Sequence, residues 1–183
     1  MKPAATESRF DAVLRRPADQ HGEDGWAFVV LPGAISEAFP RRGRTSMRGT
    51  LAGHPFQATL EPDGQLSHWL KVPAALMKAA GVAIGDTVTL EAFPAPNELE
   101  PLVPPAFNDV LDGSPPARAT WDATTTIARI DWIHWIESAK QDKTRLKRMA
   151  DAENMLASGK NRVCCFDPSG YYSKSLAAPR EAK

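Results

Sequence analysis

A stretch of twelve residues, 94–105 (PAPNELEPLVPP), contains five prolines. Proline lacks a backbone N–H and restricts φ, so this stretch can form neither a helix nor a central strand. We interpret it as a semi-rigid extended linker. It divides the chain into an N-terminal domain over residues 8–93 and a C-terminal module over residues 106–174. The small, polar residues 1–7 and 175–183 are predicted to be disordered tails.

Before the linker, apolar residues form short runs with the alternating period of β-strands. The predicted strands cover residues 10–16, 26–31, 45–51, 56–60, 66–72 and 87–93. Pro73 at the first helical position and Gly81 just after the last one predict one short helix. The glycines at positions 43, 49, 53 and 64 are interpreted as turn residues. Several short strands with one small helix are typical of a small β-barrel.

After the linker, helical patterns replace strand patterns. The predicted helices cover residues 106–111, a segment opened by Ser114 and Pro115, a segment capped within 124–126, and a last helix that follows Ala139 and ends at about Leu156. In the last helix, the inward stripe is predicted to contain Leu146, Met149 or Ala150, and Leu156. The fold class is therefore α+β, with a small barrel domain followed by a helical module.

Composition excludes several classes of protein. Lys and Arg together number 22, as do Asp and Glu, so the chain is not a globally basic nucleic-acid coat. No apolar run is long enough to span a membrane, and the first ten residues lack the apolar segment of a secretion signal, which indicates a cytoplasmic protein. The four histidines show no metal-ligand spacing and no C-x-x-C occurs, so we predict neither a metal nor a cofactor.

Two basic segments are the candidate binding sites for an anion or a partner. The first is a loop with Arg41, Arg42, Arg44 and Arg48, whose guanidinium groups could bind phosphate or carboxylate groups. The second is the last helix, where Lys140, Thr144, Lys147 and Arg148 share one face beside Arg145. For both segments a solvated surface without a ligand is the alternative, and the charge pattern alone favours it.

The adjacent residues Cys164 and Cys165 are candidate reactive thiols. A disulfide between neighbours is strained, so no disulfide framework is predicted. Neighbouring side chains in an extended segment point to opposite faces, so at most one thiol is expected to be exposed. The nearby Lys160 and Arg162 could lower a thiol pKa, and we count them among the candidate anion-binding residues.

Two sets of motifs resemble known families. Residues 25–32 (GWAFVVLP), 49–56 (GTLAGHPF) and 72–88, from Val72-Pro73 through Gly81 to Gly85-Asp86 and Val88, resemble a bacterial domain of unknown function. Residues 135–148, with Trp135-Ile136, Ala139-Lys140, Thr144-Arg145 and Arg148, followed by Gly159-Lys160 and Cys164-Cys165-Phe166-Asp167, resemble the YdeI/OmpD-associated, or bacteriocin-protection, family. The resemblance implies a closed barrel of the double-split type, then a helical module, with no established enzymatic activity.

The hypotheses of function follow from these sites. The chain contains no Gly-x-Ser-x-Gly, phosphate-binding loop or dinucleotide fingerprint, so we favour a non-enzymatic function. The first hypothesis is a cytoplasmic accessory protein of stress or bacteriocin protection that binds a protein partner or a small anionic ligand. The second is a nucleic-acid-binding protein that uses the segments 41–48 and 140–148. The third is a thiol-dependent enzyme at Cys164 or Cys165.

Overall fold

The computed structural model describes residues 8–20 and 25–183, which contain six β-strands and six helices. The strands are β1 (Arg9–Val13), β2 (Ala27–Val30), β3 (Thr45–Leu51), β4 (His54–Pro62), β5 (His68–Val72) and β6 (Thr87–Pro94). The helices are α1 (Gly33–Ser36), α2 (Ala74–Ala80), α3 (Pro105–Asp112), α4 (Pro115–Ala123), α5 (Thr126–Glu137) and α6 (Asp142–Ala157).

The six strands form one antiparallel sheet in the order β1-β6-β3-β4-β5-β2. The two ends of this order meet where Arg15 and Phe28 exchange backbone N–H···O bonds of 3.1 and 2.9 Å. The sheet is therefore a nearly closed barrel, and the predicted α+β fold is confirmed. Alternate side chains of the strands fill its interior, among them the fully buried Met47, Leu60 and Leu90.

Gly49 is a strand residue, so its interpretation as a turn residue was wrong. It lies within β3 opposite Ala92 of β6. A Cβ atom at this position would lie 1.8 Å from the backbone oxygen of Glu91. The glycine thus allows β3 and β6 to approach more closely than any side chain would permit.

The barrel contains two helices where the sequence predicted one. The predicted helix is α2, which follows Pro73 and ends at Gly81 in the left-handed conformation, with φ of 71°. The additional helix is the single turn α1, in the segment that follows Pro32. A four-residue helix has no apolar periodicity that a sequence pattern could reveal.

The described residues up to Asn97 form one compact unit together with Ser169–Lys183, and Glu98–Pro168 form a second. We call Ser169–Lys183 the C-terminal segment. Its backbone bonds to the residues after β1, since Ala18 N–H donates to the Arg180 oxygen at 2.7 Å and Ala182 N–H to the Arg16 oxygen at 2.8 Å. Residues 175–183, predicted as a disordered tail, thus belong to the barrel unit. The other predicted tail, residues 1–7, lies outside the described residues.

The helical unit has its own core. Large side chains from all four of its helices are buried there: Phe107, Leu111, Trp121, Trp132, Ile133, Ile136, Met149 and Leu156. In α6 the inward stripe is Met149, Ala152 and Leu156. Leu146 was predicted to belong to this stripe, but its side chain is 63% exposed. No helix in the described part of the chain is long and apolar enough to cross a membrane.

Candidate functional site

Two arginines of the predicted basic loop bind the barrel's own groups. The Arg42 guanidinium donates to the backbone oxygens of Ser36 at 2.9 Å and Phe39 at 2.7 Å, so it satisfies carbonyls at the end of α1. Arg44 forms an ion pair of 2.8 Å with Glu61 of β4. Both guanidinium groups therefore contribute to the local structure of the barrel, which reduces what they can offer to an external anion.

A buried chain of hydrogen bonds continues from Arg42 into the barrel. Arg42 donates to Ser36 Oγ at 3.2 Å, and Ser36 Oγ lies 2.7 Å from Nδ1 of the fully buried His68. His68 Nε2 lies 3.0 Å from the Gly43 carbonyl oxygen. Because a carbonyl only accepts, Nε2 carries the proton and Nδ1 accepts from the Ser36 hydroxyl. Burial lowers the pKa of His68, so the imidazole is neutral and holds the loop in place.

Arg48, predicted to lie in the basic loop, lies instead within β3, where it pairs with Gln57 of β4 and Phe93 of β6. Arg48 and Arg41 also differ in exposure. Arg48 is exposed, and its guanidinium lies 5.6 Å from the ring centroid of Phe93. Arg41 is half-buried. The four arginines therefore do not present four exposed guanidinium groups, and Arg48 is the one that is open to solvent.

The second predicted basic segment, in the last helix, is also largely engaged in internal contacts. Helix α6 begins at Asp142, so Lys140 lies before the helix and does not share its face. Lys140 is exposed. Arg145 pairs with Asp142 and Lys147 with Asp151, both at 2.8 Å. Thr144 is half-buried. These pairs neutralise part of the positive charge that the sequence pattern suggested.

Arg148 and Arg145 also bind carbonyl groups at the C-terminal end of α5. Arg148 donates to the Trp135 oxygen at 2.5 Å and to Ser138 Oγ at 2.9 Å, and its guanidinium lies 5.4 Å from the Trp135 ring centroid. Arg145 donates to the Ala139 oxygen at 3.2 Å. Cations at this end of a helix satisfy its last carbonyls and oppose its dipole.

A salt bridge that the sequence did not reveal joins Glu100, in the Pro-rich stretch 94–105, to α5 of the helical unit. Arg129 of α5 donates to both oxygens of Glu100, through Nε at 3.0 Å and Nη2 at 2.6 Å. Arg129 also donates to the backbone oxygens of Trp121 and Thr124. The hydrogen bond from Arg129 is the main reason why the pKa of Glu100 is lowered. Glu100 lies within the predicted linker, so the second half of that linker is attached to the helical unit.

We expect this salt bridge to make the helical unit sensitive to acid. Because the folded state lowers the pKa of Glu100, its contribution is present above the ordinary glutamate pKa and is lost as pH falls below it. Urea unfolding of wild type and Glu100→Gln at pH 7 and pH 3.5 would measure it. The variant should lose less stability between the two pH values than wild type. An equal loss in both proteins would contradict the expectation.

The barrel opens between β4 and β5. These strands pair only at Glu61 with Trp69 and at Pro62 with His68. Beyond this point they diverge, and a groove of about 360 Å³ lies between them. We call it the β4–β5 groove, and its lining comprises Phe56, Gln57, Ala58, Thr59, Glu61, Trp69, Lys71, Pro73 and Leu76. One edge of β4 pairs with β3 along its length. The opposite edge is not paired with β5 at residues 56–59, and these residues line the groove.

Aromatic rings flank the groove. Trp69 stacks on Trp26, with ring centroids 6.4 Å apart and planes inclined by 29°. Lys71 Nζ lies 4.9 Å from the Trp26 ring centroid. The arrangement combines apolar surface, half-buried indoles and a cation beside a strand edge. A larger hollow of about 650 Å³ is lined by Arg9, Asp86 and Glu91, among others, and has no aromatic side chain in its lining. Arg9 and Glu91 form an ion pair of 3.8 Å there.

The structure places both thiols in the segment after α6. Cys164 and Cys165 are exposed and not in a disulfide, which contradicts the expectation that at most one would be exposed. The reason is that Cys165 has a φ of 60°, which breaks the alternation of an extended chain. Lys160 and Arg162 in the same segment are exposed as well. No group of three or more His, Cys, Asp or Glu residues that could hold a metal ion occurs in residues 8–20 and 25–183.

Comparison with known families accounts for both units. Residues 10–91 match a domain of unknown function, DUF1905, and these residues span the barrel from β1 into β6. Residues 100–159 match the family described as bacteriocin-protection, YdeI or OmpD-associated, and these residues contain α3 to α6. The helical unit thus carries a YdeI/OmpD-associated module, and the barrel before it is a domain of unknown function. The predicted resemblance is thereby confirmed.

The two matched regions include the groove but not the thiols. The β4–β5 groove lies wholly within residues 10–91. Cys164, Cys165 and the C-terminal segment follow the last matched residue, 159. No curated protein matches the chain at a significant level.

Proposed function

We propose that this chain is a non-enzymatic binding protein whose barrel binds an extended segment of a protein partner in the β4–β5 groove. The observation that carries the proposal is the divergence of β4 and β5, which leaves a strand edge beside an apolar and aromatic groove. A partner segment can add to such an edge as a further strand. Its main-chain hydrogen bonds supply affinity, and side-chain pockets supply specificity.

The chemistry of the groove favours a segment with an apolar side chain. Phe56, Trp69 and Leu76 provide the apolar lining, and the volume of about 360 Å³ is at the small end of the range for ligand sites. Rigid indoles supply large contact areas at low entropic cost. Lys71 also lines the groove. Its positive charge would favour a partner segment with a carboxylate next to that apolar side chain and disfavour one with a cation there.

The protein-partner hypothesis is better supported than nucleic-acid binding. Binding of phosphates requires several cations that are free to approach the backbone of the nucleic acid. Arg42, Arg44 and Arg148 donate to groups of this chain, and Arg145 and Lys147 are paired with aspartates. Because the same contacts also occupy the cations that a small anion would need, the small-anion hypothesis has less support as well. The groove supports binding of a peptide segment instead.

The thiol-enzyme hypothesis has less support than the binding hypothesis. A nucleophilic cysteine is usually activated by an adjacent base. The charged group that acts on Cys165 is Lys160, a cation, which does not serve as that base. We further propose a cytoplasmic location and a role in stress or bacteriocin protection, for which the supports are the sequence and the description of the family.

A groove variant tests the proposed function. Peptides of random sequence would be selected by display on the immobilised full chain, and a selected peptide would be titrated by fluorescence anisotropy. Thr59→Arg fills the groove from β4 and should weaken the peptide at least tenfold, since the charged side chain occupies the apolar site. Circular dichroism would verify that the variant folds.

The matched control is Thr87→Arg, which adds the same charge on β6, outside the groove lining. It should bind the peptide as wild type does. If Thr59→Arg binds as tightly as wild type, or if no peptide is enriched while random duplex DNA binds at low salt, the proposal is wrong.

A further inference from the structure

The segment that carries the two cysteines is anchored on both sides of them. On one side, the backbone oxygen of Asn161 accepts from Trp132 Nε1 at 3.3 Å and from Thr124 Oγ1 at 2.9 Å. On the other side, the Phe166 ring packs edge-on against the ring of His134, with centroids 5.1 Å apart. His134 and Trp132 are buried in α5. The short stretch between these anchors is thus attached to the helical core at both ends.

Within that stretch, the backbone brings the two sulfurs together. Cys165 has the left-handed φ of 60°, a conformation that residues other than glycine rarely adopt. In this conformation Cys164 Sγ and Cys165 Sγ lie on the same side and contact each other. Both side chains are exposed, so a reagent can reach both sulfurs at once. In an extended chain the two would point to opposite sides.

We propose that Cys164 and Cys165 form a two-sulfur binding site for trivalent arsenic. Thiolate sulfur is a soft ligand that selects soft, thiophilic centres. Trivalent arsenic is pyramidal and holds two sulfurs on the same side, as this pair is placed. A linear two-coordinate ion would need the sulfurs on opposite sides. Zinc generally requires three or four protein ligands, and the described residues supply no such cluster here.

The binding step is balanced without an oxidant. With phenylarsine oxide, each sulfur forms one As–S bond, the As–O bonds break, and the oxygen leaves as water with the two thiol protons. Arsenic stays trivalent and both sulfurs keep their oxidation state. The pKa of Cys165 is raised, chiefly by its hydrogen bond with Cys164. The nearby cation Lys160 acts in the opposite direction on Cys165 and favours its thiolate.

A disulfide between the same residues is a weaker alternative. Consecutive Cα atoms across a trans peptide are about 3.8 Å apart, below the roughly 4.4–6.8 Å that disulfides prefer. Such a bond would be strained and easily reduced. The reduced pair, which the arsenic site needs, is therefore the favoured state.

The experiment uses the reduced full chain and phenylarsine oxide. Intact-mass spectrometry should show one adduct per chain with the loss of one water. The adduct should survive excess glutathione, a monothiol, and be removed by 2,3-dimercaptopropanol, a dithiol. Cys164→Ser and Cys165→Ser each leave one sulfur, so both should lose the glutathione-resistant adduct while their circular dichroism is unchanged.

A peptide with the sequence of residues 160–168 separates the folded site from two cysteines that are merely adjacent. The folded chain should retain the arsenical against at least tenfold more glutathione than the peptide, because its sulfurs are already held together. Equal retention by chain and peptide, or a resistant adduct in either serine variant, would overturn the proposal. The proposal does not depend on the β4–β5 groove, and Thr59→Arg should leave the adduct unchanged.

Discussion

His68→Ala should lower the free energy of unfolding of the barrel by about 3 kcal/mol, one of the two largest effects that we expect from a single substitution. The imidazole is fully buried and lies between the Ser36 hydroxyl and the Gly43 carbonyl. Its removal leaves a cavity and takes away the acceptor of the Ser36 hydroxyl and the donor to the Gly43 carbonyl, although Arg42 still donates to Ser36 Oγ. Urea unfolding monitored by tryptophan fluorescence measures the change.

The pH dependence of the same variant identifies the cause. Burial lowers the pKa of His68 in the folded state, so the unfolded chain takes up a proton first as pH falls. Wild-type stability should therefore be fully present above pH 6.5 and decrease as pH falls from about 6.5 towards 5. His68→Ala removes this group and should show a smaller decrease.

His54→Ala is the control for His68, because His54 is half-buried at the start of β4. We expect a loss well below that of His68→Ala. If His68→Ala unfolds at the same urea concentration as wild type, or keeps the full decrease in stability below pH 6.5, the buried chain of hydrogen bonds does not hold the loop as we infer.

Gly49→Ala should destabilise the barrel by about 3 kcal/mol. The new Cβ would lie 1.8 Å from the Glu91 oxygen, and a backbone atom can move away only if β3 separates from β6. For a chain of this size such a loss corresponds to a decrease of roughly 6–12 °C in the Tm of the barrel. Differential scanning calorimetry would resolve it.

Gly33→Ala is the matched glycine control. No atom lies within 4 Å of the Cβ position at Gly33, and its φ is not in the left-handed region. Its Tm should stay within about 1–2 °C of wild type, since surface substitutions change stability by no more than about 0.5 kcal/mol. Equal melting of Gly49→Ala and Gly33→Ala would show that β3 and β6 have room to adjust.

The barrel strands could be predicted because they follow a simple period. In β5, Leu70 and Val72 face inward while Trp69 and Lys71 face outward, and this alternation is visible in the sequence. Gly49 carries no such signal, because a glycine looks the same in a turn and at a close strand contact. The C-terminal segment was missed for a similar reason, since its backbone pairing with residues 16–18 does not require apolar side chains.

The candidate sites were less predictable than the fold. Four arginines in one loop look like an anion site, but a sequence does not show that Arg42 binds the carbonyls of Ser36 and Phe39. The β4–β5 groove depends on where two strands stop pairing, which is a property of barrel curvature. The exposure of both thiols depends on one backbone angle, at Cys165. Each of these features is tertiary or conformational, and none leaves a residue pattern.

The return of the C-terminal segment to the barrel has a consequence for synthesis on the ribosome. The barrel unit is discontinuous, and Glu98–Pro168 are translated between its two parts. All six strands are therefore synthesised before the helical unit, and Ser169–Lys183 only after it. During this interval Gly64 lacks its close neighbour Leu176, and residues 16–18 lack their hydrogen-bond partners. The order of translation thus makes the barrel the first unit to be started and the last to be completed.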